Sequence, residues 1–201
     1  MARQPLTFRR LTGLDRSDNV HSQDMLDRPW NPWTIPNAIS FVRLAFIPVF
    51  LYLAFTSEEG TDNVPALIFA AIAWGDYADG IAARLTGQYS KLGALLDPVI
   101  DRALVIAGVA VVWHFDLLPH WALLVLAVRE VVQLVYGNYA LRHDIDLSVN
   151  WPGRIAVWPV MTALFAALVG WTTLGEVLLY IGLFFAIWAT ALYIREGSAS
   201  R

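Results

Sequence analysis

At 201 residues, 57% of them hydrophobic and 15% charged, the chain carries far less charge than the roughly 25% usual for a soluble domain. A net charge of −3 excludes a basic nucleic-acid surface, and the lack of cysteine excludes disulfides, thiolate metal sites and thiol catalysis. A chain this apolar belongs in a bilayer, where only helices of about 20 residues or a closed barrel satisfy the backbone.

Residues 1–33 are polar, with five arginines and four aspartates, and contain no apolar core of a cleaved signal. They read as a cytoplasmic segment that is either a juxtamembrane surface helix built around Leu6, Phe8, Leu11 and Leu14 or disordered, a choice the sequence leaves open. Long apolar segments follow at 36–55, 64–84, 98–115, 119–140, 152–171 and 174–194. They predict an all-α integral membrane protein with six transmembrane helices, a membrane domain over 34–195 and a tail over 196–201. The short alternating pattern of barrel strands is absent. Trp30, Trp33, Trp113, Trp121, Trp151 and Trp171 fall near segment ends, where they anchor at the interface.

Charged and polar residues within this apolar frame are the candidates for function. The first segment opens with Asn37, Ser40 and Arg43 at helical spacing, which either cap the helix or face a pocket. The second ends in Asp76, Asp79, Gly80, Ala83 and Arg84, and the third is introduced by Gly93, Asp97 and Asp101. The fourth holds Arg129 beside Glu130, a pair that either neutralises itself or serves a site. The fifth starts near Gly153 and Arg154. Arg43 and Arg129 lie inside segments, where a charge is costly and is either packed, snorkelling or functional.

Lysine and arginine are retained on the cytoplasmic side. With six crossings, one side holds Arg3, Arg9, Arg10, Arg16, Arg28, Arg84, Lys91, Arg102, Arg142, Arg154, Arg195 and Arg201. The loops near Glu58 to Asp62, Asp116 and Glu176 hold acids and no lysine or arginine. Both termini, and the acidic residues between the second and third segments, are therefore expected at the cytoplasmic face.

Asp76 with Asp79 forms one helical edge and Asp97 with Asp101 another, because residues three or four apart share a face. A short turn lets the edges meet. Converging carboxylates repel unless cations neutralise them, and oxygen-only ligation favours Mg²⁺ or Mn²⁺ over zinc. Two such ions bridged by carboxylates would make a phosphoryl-transfer clamp. Gly80, Ala83 and Gly93 admit either a ligand against the backbone or a neighbouring helix.

The run Asp76-x2-Asp79-Gly80-x2-Ala83-Arg84-x8-Gly93-x3-Asp97-x3-Asp101 resembles the signature of the CDP-alcohol phosphatidyltransferase family at every fixed position. The resemblance implies that Asp76, Asp79 and Asp97 bind metal with Asp101, and that Asp101 is the general base. It also implies that Asp76, Asp79, Gly80, Ala83, Arg84 and Gly93 hold the CDP group of CDP-diacylglycerol, and that the protein is a homodimer. The segment Trp33 to Arg43 is similar to the entry segment of the phosphatidylglycerophosphate synthase and cardiolipin synthase branch. Asn37, Arg43, Arg129, Arg142 and Arg154 are the acceptor-site candidates, since a phosphorylated acceptor needs fixed cations. Gly153-Arg154-Ile155-Ala156-Val157 stands where glycerophosphate-using relatives carry Gly-Lys-x-Lys-Thr, without the second lysine or the threonine. Glycerol 3-phosphate is the first acceptor expected, then phosphatidylglycerol, then inositol phosphate. A transporter or proton relay is the competing class, and it would spread its acids through the membrane depth.

Overall fold

The computed structural model describes residues 30–142 and 151–199, with side chains described over 30–135 and 156–192. Six helices and no strand occur among them: α1 (Ile35–Phe55), α2 (Asn63–Thr86), α3 (Lys91–His114), α4 (His120–Arg142), α5 (Trp151–Leu168) and α6 (Thr172–Ala199). Except for its last four residues, the polar segment 1–33 lies outside the described residues.

Local chemistry sets several helix ends. Thr34 caps α1, its hydroxyl oxygen accepting from the Asn37 amide at 3.3 Å, and Pro36 sits in the first turn, where its missing N–H costs nothing. Gly87 closes α2 in the left-handed conformation at φ 67°, which a residue without Cβ adopts freely. Three residues later Ser90 caps α3, accepting from the Gly93 amide at 2.9 Å. That cap explains the main boundary difference from expectation. The apolar run begins near 98, but α3 begins at Lys91, so Gly93, Asp97 and Asp101 all lie within regular helix.

α1 packs on α2 and α3, and α3 also touches α4 and α5. The core runs through Phe50, Phe69, Ile100, Leu104, Leu123, Leu126, Leu164 and Leu179, with the Phe50 and Phe69 rings 5.5 Å apart. α5 and α6 are antiparallel partners in close contact: a Cβ on Gly175 would lie 3.0 Å from the Ala163 carbonyl, and one on Gly182 would lie 2.6 Å from Val160 Cγ2. Such backbone approach is how helices associate where lipid removes the hydrophobic drive.

At Gly108 three helices meet, because a Cβ there would lie 2.8 Å from Phe69 Cε2 and 3.1 Å from Leu164 Cδ1. Gly108→Leu should therefore destabilise the bundle by about 1–3 kcal/mol through overpacking. A thermal melt in detergent that matches the wild type would refute this packing argument.

Large apolar side chains face outward all around the bundle, including Tyr52 on α1, Leu67 on α2, Val99 on α3, Val128 on α4 and Phe184 on α6. Such a surface suits lipid and not water. Among the described residues, three stretches are long and apolar enough to cross a membrane: Ile35–Phe55, Asn63–Thr86 and Thr172–Leu192. Every membrane-length stretch of α3 includes Asp97, Asp101 and Arg102, so its apolarity is interrupted by the residues of the candidate site.

Candidate active site

The buried face of α1 consists of Asn37, Ser40, Arg43, Ile47, Phe50 and Ala54, spaced by three or four. Its first three members are polar and its last three apolar. One end of the helix thus joins the core while the other meets the acidic edges of α2 and α3.

Arg43 is the hub of that meeting. Its side chain is only 3% exposed, and its Nε donates to the Ile72 carbonyl at 2.9 Å. Nη1 donates to Asp79 Oδ2 at 3.0 Å and, more weakly, to Asp76 Oδ1 at 3.5 Å. Nη2 donates to Asp101 Oδ1 at 2.6 Å. One guanidinium therefore ties α1 to carboxylates of both α2 and α3, using the planar fork of donors that distinguishes arginine from lysine. Its stem has room because residue 75 is glycine: a Cβ there would lie 2.7 Å from Arg43 Cδ and 2.8 Å from Cγ.

The fourth carboxylate has its own donor, Ser40 Oγ, 2.9 Å from Asp97 Oδ1. Nearer the helix end, Asn37 Nδ2 donates to the carbonyls of Asn31 and Pro32 at 3.0 and 3.2 Å. Asn37 Oδ1 accepts from Ser90 Oγ at 2.8 Å, so α1 also grips the cap of α3. Gly93 allows this grip, since a Cβ on it would lie 2.6 Å from Asn37 Oδ1. In this arrangement Gly93 serves helix packing, one of the two uses open to it from sequence.

The cluster is closed on one side and open on the other. Asp79 is buried, whereas the side chains of Asp76 and Asp101 are 52% and 40% exposed. A Cβ on Gly80 would meet nothing within 4 Å, so the backbone there borders open space. Ala83 is half-buried and Arg84 exposed on the following turn of α2.

Arg102 follows Asp101 in sequence but turns to α4, where Nη1 donates to Glu130 Oε2 at 2.8 Å. Glu130 is buried and accepts from Arg129 as well, while Arg129 Nε is buried without a partner. The Arg129–Glu130 pair is therefore shared with a third charge from α3. The side chains of Arg142 and Arg154 lie outside the described residues.

Among the described residues, no group of three histidine, cysteine or acidic side chains is arranged to hold a metal ion. The donor chemistry still fits a hard divalent cation. All donors are oxygen, and a stand-in cation, the Arg43 guanidinium, already occupies the point where three of the four carboxylates converge.

Gly75, Ser90 and the Arg102–Glu130 link were not singled out from sequence. Signals were available for Gly75, a residue without side chain beside Asp76, and for Ser90, a favoured N-cap type three residues before Gly93.

Residues 33–188 match the family described as CDP-alcohol phosphatidyltransferase. The chain belongs to this family. It is 37% identical over 173 residues to a protein of Streptomyces coelicolor named cardiolipin synthase (CMP-forming), covering 82% of this chain and 79% of that one. It is 28% identical to a Bacillus subtilis protein named CDP-diacylglycerol--glycerol-3-phosphate 3-phosphatidyltransferase, over 68% of this chain and 77% of the other. A protein of the same name from Blochmanniella floridana is 26% identical, over 83% and 92% of the two chains. As a CDP-alcohol phosphatidyltransferase, the chain is a transferase of phospholipid biosynthesis, and its apolar helices make it an integral membrane protein.

Proposed function

We propose that this CDP-alcohol phosphatidyltransferase transfers the phosphatidyl group of CDP-diacylglycerol to phosphatidylglycerol, forming cardiolipin and releasing CMP. The observation that carries the chemistry is the convergence of Asp76, Asp79 and Asp101 on one buried cation at one end of the bundle, with Asp97 held by Ser40 of the same α1 face. The acceptor hydroxyl oxygen bonds to the phosphorus bearing diacylglycerol as the bond from that phosphorus to the CMP oxygen breaks. Asp101, whose side chain is 40% exposed, takes the hydroxyl proton. Gly80 and Ala83 let the CDP group approach backbone, and Arg84 meets its diphosphate, whereas Gly93 is packed against Asn37 and holds α3 on α1. Asp76, Asp79 and Asp97, with Asp101, would hold one or two Mg²⁺ or Mn²⁺ ions, which when bound stabilise the charge on the phosphoryl and leaving oxygens.

The choice of phosphatidylglycerol over glycerol 3-phosphate is supported by the higher identity to the Streptomyces relative. It is also supported by Gly153-Arg154-Ile155-Ala156-Val157, which offers one cation, Arg154, without the second lysine or the threonine of glycerophosphate-using relatives. Glycerol 3-phosphate, first in order from sequence alone, is the second reading, favoured by the Bacillus and Blochmanniella relatives. All six helices cross the cell inner membrane in this reading, with both termini and the acidic cluster on the arginine-rich cytoplasmic side. CMP then leaves to water while both acyl chains stay in the bilayer. Homodimerisation is part of the same proposal.

Purified protein with CDP-diacylglycerol, Mn²⁺ or Mg²⁺ and a panel of acceptors tests this. The expected result is CMP release with a product of cardiolipin mass, at least about tenfold faster with phosphatidylglycerol than with glycerol 3-phosphate, a modest specificity difference of roughly 1.4 kcal/mol. A product of phosphatidylglycerophosphate mass would shift the acceptor to glycerol 3-phosphate. No CMP release with any acceptor of the panel would overturn this reading.

A further inference from the structure

The oxygens that a divalent ion needs are the ones that Arg43 already holds. Nη1 and Nη2 reach Asp79 Oδ2 and Asp101 Oδ1 at 3.0 and 2.6 Å, and the weaker contact to Asp76 Oδ1 spans 3.5 Å. Arg43 is not a surface side chain that happened to fall there. It is buried, anchored through Nε to the Ile72 carbonyl, and accommodated by the missing side chain of Gly75. Arg102, the cation next to Asp101 in sequence, is committed to Glu130. A single positive charge among four carboxylates leaves the cluster strongly negative in a setting of reduced dielectric.

From this geometry we infer that Arg43 and the divalent ion are alternative counter-ions of the cluster. Arg43 holds α1, α2 and α3 together when metal is absent, and it gives up Asp79 and Asp101 when metal binds. The inference rests on the proposed metal role of the four aspartates. It makes Arg43 a positioning residue that also sets metal affinity, and it removes Arg43 from a separate acceptor-phosphate pocket.

Competition of this kind has a signature that a merely structural arginine lacks. Removing Arg43 takes away both a rival for the carboxylate oxygens and a like charge beside the bound ion. Metal should then bind more tightly, while the metal-free protein becomes less stable. Lysine in its place keeps the charge but cannot reach three carboxylates with one fork, so it should fall between.

The test uses the full chain in detergent, titrated with Mn²⁺. Free ion is followed by electron paramagnetic resonance, and the unfolding midpoint is recorded at each concentration. For Arg43→Gln, the Mn²⁺ half-saturation point is expected to fall at least about threefold, and the stabilisation produced by Mn²⁺ to exceed that of the wild type by linkage. An unchanged or raised half-saturation point overturns the inference. Should Arg43→Gln fold only when Mn²⁺ is supplied, the counter-ion role is supported directly. Should it fail to fold with or without Mn²⁺, Arg43→Lys decides by the same comparison, a lower half-saturation point supporting and an unchanged one refuting. Asp79→Asn separates this from the underlying metal reading: Mn²⁺ binding indistinguishable from wild type in that variant would show that the ion binds elsewhere, and both ideas would fall.

Discussion

Asp101→Asn is expected to abolish phosphatidyl transfer while leaving the protein folded, with CMP release lower by about three orders of magnitude, or roughly 4 kcal/mol of transition-state stabilisation. The fold survives because the substitution is isosteric. An amide oxygen still accepts from Arg43 Nη2 at the position where Asp101 Oδ1 now does so at 2.6 Å, and α1 and α3 stay tied. What should disappear is the proposed acceptor of the hydroxyl proton, together with one carboxylate charge at the proposed metal site. Because that interaction develops only as the reaction proceeds, kcat and kcat/KM should fall together with little change in KM. The measurement is CMP release by purified variant and wild type, paired with thermal melts. Activity within tenfold of wild type would refute the base assignment, and a collapsed melting midpoint would refute the claim that Asn preserves the Arg43 contact.

The sequence made the acidic edges legible because helical spacing is rigid. Asp76 with Asp79, and Asp97 with Asp101, lie on shared faces in any regular helix, and a turn from Gly87 to Ser90 leaves little choice but to bring the edges together. The helices themselves were legible from apolar length, apart from the start of α3. There the determinant is one hydroxyl, Ser90 Oγ on the Gly93 amide, which no average over apolar residues detects. The role of Arg43 was less accessible for a different reason. Asn37, Ser40 and Arg43 stood out by spacing, but spacing along α1 does not say which neighbouring helix the face meets. The rotation of α1 against α2 and α3 is set by close approaches at Gly75 and Gly93, and these are tertiary facts. Arg102 shows the same limit from the other side, since nothing in its position next to Asp101 tells that the helix turns it toward Glu130 on α4.

The two glycines flanking the acidic edge of α2 should respond to alanine in opposite ways. At Gly75 the added Cβ would lie 2.7 Å from Arg43 Cδ and 2.8 Å from Cγ, closer than real carbon contacts allow. Without metal the stem cannot swing aside, because its head is fixed by Ile72, Asp79 and Asp101. Gly75→Ala should therefore displace Arg43 or spread α1 from α2, costing about 1–3 kcal/mol of stability. Activity should drop by roughly two orders of magnitude, since misplacement by about 1 Å is enough for that. At Gly80 a Cβ meets nothing, and alanine in a helix interior is favoured over glycine by about 1 kcal/mol. Gly80→Ala should thus melt at or above the wild-type temperature. Its activity should nevertheless fall, through a raised KM for CDP-diacylglycerol, because the open space beside residue 80 is where the CDP group is proposed to touch backbone. A stable Gly80→Ala with wild-type KM would remove Gly80 from the CDP site, and a Gly75→Ala as stable as wild type would show that the Arg43 stem is looser than its contacts imply.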